Sequence, residues 1–406
     1  MHGEISLQGA KNAILPILAA ALVSRKPVHL SNCPCIGDVD CMLDILRAIG
    51  SSVTQEGQHI HIDSKTAGAY DIPDDSVKQV RSSIVFLGAV LARFGRAVIT
   101  YPGGCEIGLR PIDLHLKALR RMGVEIEEER GRLHCVCRDL KGALIHLDYP
   151  SVGATENIML TAMAAKGCTI IHNAAREPEI RDLADAINAM GGSVRGAGGP
   201  TILIDGGASW REMEHRIIPD RIAAGTFISC VASAGGDVTI RNVCPAHLDA
   251  VLSKVEEAGC AIESTADTIN VKRLEPLRAV ERVSTMPYPG FPTDMQAQFS
   301  AILAQAEGTS IVTENIFENR FKHVPQLRKM GAHITVEGRT AIIQGSPLCG
   351  TRVEAGDLRG GAALCVAGLG ASGTTVVDRV EYIRRGYEDL AGTLRCIGAF
   401  IEEQET

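Results

Sequence analysis

The cysteine best placed for chemistry lies in the stretch "TYPGGCEIGLRPIDLH" (residues 100–115). The glycines and proline around Cys105 disfavour a regular helix or strand, so the thiol is predicted to lie in a loop. Loops on a rigid scaffold often carry catalytic groups. A cation close in sequence, Arg110, would favour the thiolate over the thiol. We therefore expect Cys105 to be reactive. The cysteines predicted to be small core residues are Cys41, Cys168, Cys230, Cys260, Cys365 and Cys396.

Charged side chains recur at the predicted starts of five of six apolar helices. Five of these helices are followed by a glycine, and in the first helix Arg25 takes the place of that glycine. The residues that lie 14 positions before these helix ends are Lys11, Arg81, Gly153, Arg221, Asp294 and Arg359. A helix N-terminus disfavours cations and attracts anions. The recurrence indicates that an anion binds between the cations and the helix ends; the alternative is that these side chains simply solvate the helix starts.

Other candidate side chains lie at helix starts and in turns. Ser151, Val152 and Gly153 in "SVGATENIM" offer small residues and free N–H groups that suit a diphosphate, although serine is also an ordinary helix cap. Asp294 in "FPTDMQAQF" is either a capping carboxylate or, among cations, a base. Turn-rich segments add further charged candidates, namely Arg320, Asp357, Arg359 and Arg385.

Internal repetition predicts the domain organisation. Six segments combine an amphipathic helix that ends at glycine with an alternating strand; the glycines are Gly50, Gly123, Gly191, Gly259, Gly331 and Gly398. Each repeat is predicted to be β-α-β-α-β-β, and six repeats divide into domains of residues 11–218 and of residues 219–406 plus 1–10. The opening stretch "MHGEISLQG" is predicted to supply the first strand of repeat one. The last repeat, which ends at "GAFIEEQET", is expected to lack its final strand.

Composition narrows the class of protein. A length of 406 residues favours two domains, and a net charge of −7 argues against a general nucleic-acid binder. The longest apolar runs are too short to span a bilayer, and no leader opens the chain, so we expect a cytoplasmic protein whose 13 cysteines are reduced. The pairs "CPC" and "HCVC" lack matching second pairs, which disfavours a zinc site.

Taken together, the motifs resemble those of the UDP-N-acetylglucosamine 1-carboxyvinyltransferases, the enolpyruvyl transferases of peptidoglycan synthesis, over essentially the whole chain. The matching motifs are "GAKNAILPILAAAL", "PGGCEIGLRPIDLH", "SVGATENIM", "AAREPEIRDLA", "FPTDMQAQF", "FENRF", "DLRGGAAL" and "RGYE". The resemblance implies an α/β fold, a two-domain inside-out α/β barrel built from six β-α-β-α-β-β repeats, three per domain. It also implies transfer of the enolpyruvyl group of phosphoenolpyruvate to the 3-hydroxyl of UDP-N-acetylglucosamine, with release of phosphate and no metal or cofactor.

The same resemblance implies roles for individual residues. Phosphoenolpyruvate would be bound by Lys11, Arg110 and Arg385, with Asn12 beside Lys11. The nucleotide sugar would contact Arg81, the segment Arg110, Pro111, Ile112, Asp113 and Leu114, and the segment Ser151, Val152 and Gly153. Asp294 would be the base, Ile316 would line the sugar pocket with Arg320 nearby, and Arg359 would act with Asp357 near the phosphate. Cys105 would be the general acid that protonates the methylene carbon, or would help to expel the product, and would be the thiol alkylated by fosfomycin.

Two departures from the family pattern and two alternative functions remain at this stage. Some members have a lysine where this chain has Tyr149. Members usually begin with about ten further residues, which supply a strand to the second domain. A truncated start is therefore expected to explain the missing strand. The alternatives are a shikimate-3-phosphate enolpyruvyl transferase and a non-catalytic paralogue that binds UDP-N-acetylglucosamine. The sequence leaves the oligomeric state open.

Overall fold

The chain divides into two compact units in the computed structural model, which describes residues 1–101 and 112–404. The N-terminal unit comprises residues 9–101 and 112–218, and the C-terminal unit comprises residues 1–8 and 219–404. Each unit mixes helices with sheets around a hydrophobic core of its own. Three predicted site residues, Cys105, Arg110 and Pro111, lie outside the described residues.

Fourteen helices occur in the described residues. They are α1 (Lys11–Ser24), α2 (Gly37–Ile49), α3 (Asp74–Gln79), α4 (Val85–Phe94), α5 (Asp113–Arg121), α6 (Val152–Ala162), α7 (Pro178–Ala189), α8 (Arg221–Ala234), α9 (Asp249–Glu257), α10 (Gln296–Leu303), α11 (Val324–Lys329), α12 (Leu358–Gly370), α13 (Glu381–Arg384) and α14 (Leu390–Cys396). Short 3₁₀ turns at Arg81–Ile84 and Thr293–Met295 lead into α4 and α10.

Twenty-one short strands complete the described elements. They are β1 (His2–Ser6), β2 (Val28–Ser31), β3 (Ser52–Glu56), β4 (His59–Asp63), β5 (Arg96–Thr100), β6 (Glu125–Glu129), β7 (Arg132–Val136), β8 (Leu144–His146), β9 (Cys168–His172), β10 (Ser193–Arg195), β11 (Thr201–Asp205), β12 (Met213–Arg216), β13 (Gly236–Arg241), β14 (Ala261–Ser264), β15 (Thr268–Arg273), β16 (Arg282–Ser284), β17 (Thr309–Thr313), β18 (His333–Glu337), β19 (Thr340–Gln344), β20 (Arg352–Glu354) and β21 (Val376–Asp378).

The centre of the N-terminal unit is formed by α1, α4 and α6, which pack against one another. Nearly every residue of these helices is buried, as expected for helices that are apolar on all sides. Amphipathic helices such as α2 and α7 bury one face and expose the other. The last residues of α1, α4 and α6 line one common cavity, so the three helices run in the same direction.

The C-terminal unit repeats this arrangement with α8, α10 and α12. Their C-terminal ends are joined by hydrogen bonds, since the Ser233 hydroxyl donates to the Val366 carbonyl (2.6 Å) and the Gln305 amide donates to Ser233 Oγ (2.9 Å). Their N-terminal ends are joined by charged side chains, described below. Apolar helices in the middle of a unit therefore bring three helix starts together at one end.

The strands form six separate sheets around these helices. The strand orders are β12-β2-β4-β3, β5-β7-β6 and β10-β11-β9-β8 in the N-terminal unit, and β1-β13-β15-β14, β16-β17-β19-β18 and β20-β21 in the C-terminal unit. In β5, β9 and β17 every second side chain is buried, and these strands contact the central helix that precedes them. The described strands do not close into a barrel, because each sheet has at most four strands. The six-repeat description of the fold stays a prediction.

The opening strand does not pair where the repeat pattern placed it. We expected "MHGEISLQG" to supply the first strand of repeat one, but β1 pairs in parallel with β13 in the C-terminal unit. In the sheet of repeat one the outer position is taken by β12, which pairs in parallel with β2. Ile5 and Leu7 are buried in the C-terminal core, which explains the choice of partner.

The cysteine prediction needs a partial correction. Cys41, Cys230 and Cys260 are buried, and Cys365 is half-buried. Cys168 and Cys396 are exposed, because each lies at the end of its strand or helix rather than within it. No group of three or more metal-ligating side chains occurs among the described residues. Within the same residues, no helix combines the length and apolarity that a membrane span requires.

The docking of β1 is testable through Ile5, whose side chain is only 5% exposed. We expect Ile5→Ala to lower the free energy of unfolding by about 2–4 kcal/mol, because the substitution removes buried methyl and methylene groups and leaves a cavity. Urea denaturation followed by circular dichroism measures the loss. Ile342→Ala on β19 is the control, since Ile342 is 42% exposed. Equal losses in the two variants would show that β1 is not part of the core.

Candidate active site

Lys11 begins α1 and is neutralised by a carboxylate from the next helix. The Lys11 ammonium lies 2.7 Å from Asp38 Oδ2, and both side chains are almost fully buried. Asp38 lies in the first turn of α2, where the free N–H groups also favour a negative charge. Asn12, the next residue, is half-buried. A buried ammonium group is thus held in place by a partner that the sequence analysis did not identify.

Arg81 precedes α4, and its charge acts on a buried histidine. Burial, and then the positive charge of Arg81, lowers the pKa of His115 to about 4. His115 Nδ1 accepts a hydrogen bond of 2.8 Å from the Asn157 amide, which also donates to the Ile84 carbonyl (2.9 Å). Asn157 Oδ1, the side-chain oxygen, accepts a hydrogen bond from the backbone N–H of Gly88 (2.6 Å). One asparagine therefore ties α4, α5 and α6 together.

The start of α6 presents backbone donors. The Ser151 hydroxyl caps the helix by accepting from the N–H of Ala154 (3.3 Å), which confirms the ordinary capping role. The N–H groups of Val152 and Gly153 have no partner among the described residues, and both residues are half-buried. A Cβ at position 153 would lie 3.2 Å from His115 Cε1, so a side chain there requires the imidazole to move. The helix start combines free donors with little space, as backbone recognition of an anion requires.

A lysine reaches the segment before α6 from another element. Lys117 on α5 forms an exposed ion pair of 2.6 Å with Asp148, the residue before Tyr149. This chain has Tyr149 where some members of the family it resembles have a lysine. The structure places a different lysine next to that position, although its charge is balanced by a carboxylate. At the start of α5, Ile112 is buried, Leu114 is half-buried and Asp113 is exposed.

In the C-terminal unit, two arginines hold the carboxylate of Asp294. Arg320 Nη2 donates to Asp294 Oδ1 (2.8 Å), and Arg359 Nη2 donates to Asp294 Oδ2 (3.3 Å). The side chains of both arginines are 4% exposed, whereas that of Asp294 is 26% exposed. The carboxylate is thus the part of this cluster that a solute can reach.

Arg359 is anchored on its far side by Tyr387. Arg359 Nη1 donates to the Tyr387 hydroxyl (3.0 Å), which also forms a 2.8 Å hydrogen bond with the Thr226 hydroxyl on α8. Burial favours the neutral form of Arg359, but Tyr387, Asp294 and Asp220 outweigh it and raise the pKa of the guanidinium group. Asp357 caps α12 by accepting from the N–H groups of Arg359 and Gly360, each at 3.0 Å. The guanidinium group therefore has a fixed position and stays charged.

The segment around Ile316 is organised by one buried carboxylate. Glu314 accepts hydrogen bonds from the hydroxyls of Thr285 and Thr293, each at 2.9 Å, and from the N–H groups of Ile316 (2.8 Å) and Phe317 (3.0 Å). Thr293 is adjacent to Asp294, so Glu314 couples the loop that carries Ile316 to the start of α10. The sequence analysis did not single out Glu314, because a lone glutamate after a strand carries no local signal.

Arg385 is half-buried and follows α13 in the "RGYE" segment. This segment is held by Gln8, whose amide donates to the Gly386 carbonyl (3.0 Å) and whose carbonyl oxygen accepts from the N–H of Glu388 (3.1 Å). The residues that follow β1 thus position the loop that carries Arg385.

The contacts change the interpretation of the cations at helix starts. We expected these charges to require a bound anion, but Lys11 is paired with Asp38, and Arg359 is paired with Asp294. Protein carboxylates thus supply at least part of the counter-charge. The structure groups Lys11 with Asp38, Arg81 with His115, and Asp294 with Arg320 and Arg359. The roles of the predicted site residues stay predictions.

The comparisons with known proteins point to one family. The profile of the family described as EPSP synthase (3-phosphoshikimate 1-carboxyvinyltransferase) matches residues 1–394. UDP-N-acetylglucosamine 1-carboxyvinyltransferase 2 from Caldanaerobacter subterraneus subsp. tengcongensis is 49% identical, over 99% of this chain and 96% of that protein. UDP-N-acetylglucosamine 1-carboxyvinyltransferase 1 from Staphylococcus aureus is 46% identical, over 99% and 96%. The chain belongs to the UDP-N-acetylglucosamine 1-carboxyvinyltransferase family.

Solved structures of enolpyruvyl transferases share the fold of this chain. The enolpyruvyl transferase from Streptomyces tendae superimposes with a TM-score of 0.88 at 25% identity and covers 98% of this chain and 97% of that chain. EPSP synthase from Acinetobacter baumannii has a TM-score of 0.76 at 20% identity, over 99% and 97%, and therefore shows the fold alone. The resemblance to the UDP-N-acetylglucosamine 1-carboxyvinyltransferase family inferred from sequence is confirmed.

Buried His115 predicts a pH dependence of stability in this UDP-N-acetylglucosamine 1-carboxyvinyltransferase family member. Its pKa falls from 6.5 to about 4 on folding, so the unfolded chain binds the proton more tightly. Above pH 6.5 the imidazole is neutral in both the folded and the unfolded chain, so His115 does not lower the free energy of unfolding. As the pH falls from 6.5 toward 4, only the unfolded chain takes up the proton, and the free energy of unfolding falls by about 3 kcal/mol in total. Over this range, His115→Gln is expected to lose correspondingly less stability than the wild type in urea denaturation.

The control for that comparison is His59→Gln, because His59 is an exposed histidine of the same unit. It should retain the wild-type pH dependence. If His115→Gln showed the same pH dependence as the wild type, His115 would not be neutral in the folded chain.

Proposed function

We propose that this protein transfers the enolpyruvyl group of phosphoenolpyruvate to the 3-hydroxyl of UDP-N-acetylglucosamine in the cytoplasm, as the first committed step of peptidoglycan synthesis. The observation that carries this proposal is 49% identity, over 99% of the chain, to relatives named for the carboxyvinyl transfer. The sugar oxygen adds to C2 of phosphoenolpyruvate while C3 takes a proton. Loss of a proton from C3 and of phosphate from C2 then gives the enol ether. The overall exchange is redox-neutral and needs no further reactant.

Residues of the N-terminal unit are proposed to bind anionic groups. Lys11, with Asn12 beside it, binds phosphoenolpyruvate, and Arg81 contacts the nucleotide sugar. The unpartnered N–H groups of Val152 and Gly153 support a role for residues 151–153 in binding the diphosphate. Ile112, Asp113 and Leu114 are proposed to contact the uridine.

Residues of the C-terminal unit are proposed to handle the sugar hydroxyl and the phosphate. Asp294 acts as the base toward the 3-hydroxyl, which is supported by its half-buried carboxylate between two buried arginines. Arg320 and Arg359 orient that carboxylate, and Asp357 positions Arg359 through the capped helix start. Ile316 lines the sugar pocket, and Arg385 binds the phosphoenolpyruvate anion.

Cys105, Arg110 and Pro111 lie outside the described residues and are assigned by motif alone. Cys105 is proposed as the general acid that protonates the methylene carbon, and Arg110 as a ligand of phosphoenolpyruvate. The same thiol is proposed as the nucleophile that fosfomycin alkylates when it opens the epoxide. Arg110 would support the alkylation by favouring the thiolate, whereas protonation of the methylene carbon uses the protonated thiol.

One alternative acceptor follows from the family description. The matching profile is named for the 3-phosphoshikimate reaction, so shikimate-3-phosphate is the second candidate substrate. The relatives that share 46–49% of their residues with this chain carry the UDP-N-acetylglucosamine name, which favours the nucleotide sugar.

The function is tested by measuring phosphate release from phosphoenolpyruvate with each acceptor in turn. We expect release with UDP-N-acetylglucosamine, loss of that release after incubation with fosfomycin, and no release with shikimate-3-phosphate. Release with shikimate-3-phosphate alone would replace the proposed substrate. Binding of UDP-N-acetylglucosamine without turnover at high enzyme concentration would instead identify a non-catalytic binding protein.

The role of Asp294 is tested by Asp294→Asn. The amide still accepts a hydrogen bond from one arginine but cannot take a proton, so kcat is expected to fall about 100-fold or more. Calorimetric binding of UDP-N-acetylglucosamine should be retained, which separates loss of a base from loss of folding. Asp389→Asn is the control, because Asp389 is an exposed capping carboxylate of the same unit. Near-normal kcat in Asp294→Asn would exclude Asp294 as the base.

A further inference from the structure

A cavity with no assigned role lies in the N-terminal unit, where α1, α4 and α6 end. Its volume is about 300 Å³, within the range of small-molecule sites. The residues proposed above to bind substrates lie at the starts of the same helices. Because α1 has 14 residues, its two ends are about 20 Å apart. The cavity is therefore separate from the candidate active site.

Two arginines line this cavity without a carboxylate partner. Arg93 is only 9% exposed; its Nη2 donates to the Ser64 carbonyl (2.8 Å), but its Nη1 is buried and has no hydrogen-bond partner among the described residues. Arg25 is exposed and forms no ion pair with any described residue. Burial, followed by the positive charge of Arg25, lowers the pKa of Arg93, so the two guanidinium groups are close enough to repel each other. An anion between them would remove that repulsion.

Arg25 lies in a backbone conformation that usually favours glycine. Arg25 ends α1 with φ 57° and ψ 7°, a left-handed conformation that favours glycine. The equivalent residue that ends α4 is Gly95, with φ 69° and ψ 5°. A glycine would therefore be less strained at position 25, yet the chain has an arginine there whose side chain lines the cavity.

The remaining wall of the cavity is apolar and includes the only tryptophan of the chain. Trp210 is half-buried, and Val23, Ala92 and Met163 contribute further apolar surface. We propose that the cavity binds a small organic anion whose carboxylate or phosphate group contacts Arg25 and Arg93 and whose apolar body packs against Trp210. The site neither uses nor alters the residues assigned to catalysis.

The proposal is tested by titrating the full-length protein at constant ionic strength and following the fluorescence of Trp210. The probes are cyclohexanecarboxylate and cyclohexyl phosphate, with uncharged cyclohexanol as the third arm. We expect a saturable change with the anions and none with cyclohexanol, and the anion that binds more tightly identifies the preferred head group. An equal response to cyclohexanol would overturn the proposal, because the cavity would then be merely apolar.

The matched variants are Arg25→Gly and Arg130→Gly. Arg25→Gly restores the residue favoured by the backbone, so it should fold, and we expect it to bind the anions at least about tenfold more weakly after loss of a charge-assisted contact. Arg130→Gly removes the same charge at another exposed position with positive φ, 50°, in the turn before β7, and should bind as the wild type does.

Equal affinities of Arg25→Gly and the wild type would show that Arg25 only offsets the partial negative charge of the helix ends, and would overturn the proposal. Turnover of Arg25→Gly without added anion should equal that of the wild type.

Discussion

A positive charge at the start of a buried helix has to be neutralised, and the way this chain does so organises the candidate site. The helix dipole and the free N–H groups already make a helix start electropositive, so a buried lysine or arginine there is stable only beside a negative group. Asp38 provides that group for Lys11, and Asp294 provides it for Arg359. Asp294 also pairs with Arg320, which is buried but lies in a turn. These ion pairs determine which side chains lie together and how each is oriented.

Buried polar side chains then fix the elements that carry the charges. Asn157 bonds to the backbone of α4 and to His115 of α5, and Glu314 gathers four donors from three segments. A fully satisfied polar group in a low-dielectric interior is costly to disrupt, so these residues limit the movement of the site. Rigid placement matters chemically, because a carboxylate that accepts a proton must meet the hydroxyl within hydrogen-bond distance.

The two ends of the central helices differ in how their charges are satisfied. At the helix starts, Lys11 and Arg359 are paired with carboxylates of the protein itself. At the ends of α1, α4 and α6, Arg25 and Arg93 face a cavity and have no carboxylate partner among the described residues. In the C-terminal unit the corresponding helix ends are closed by Ser233 and Gln305, which are neutral. The ends of α1, α4 and α6 are therefore the proposed site of a further anion, separate from the substrates that are proposed to bind at the helix starts.

Local patterns in the sequence determined the family, the α/β class and the identity of the six central helices. Those helices are recognisable because they are apolar on every side. Glycine at positive φ directly ends α4 and α8, whereas α6, α10 and α12 end before the glycines that the pattern assigned to them. Only the tertiary structure decided that Asp38 pairs with Lys11, that Tyr387 and Thr226 anchor Arg359, that Lys117 reaches Asp148, and that β1 joins β13 rather than the sheet of β2. Each of these pairs joins residues far apart along the chain. Their proximity follows from how whole helices and sheets pack, and no local spacing records it.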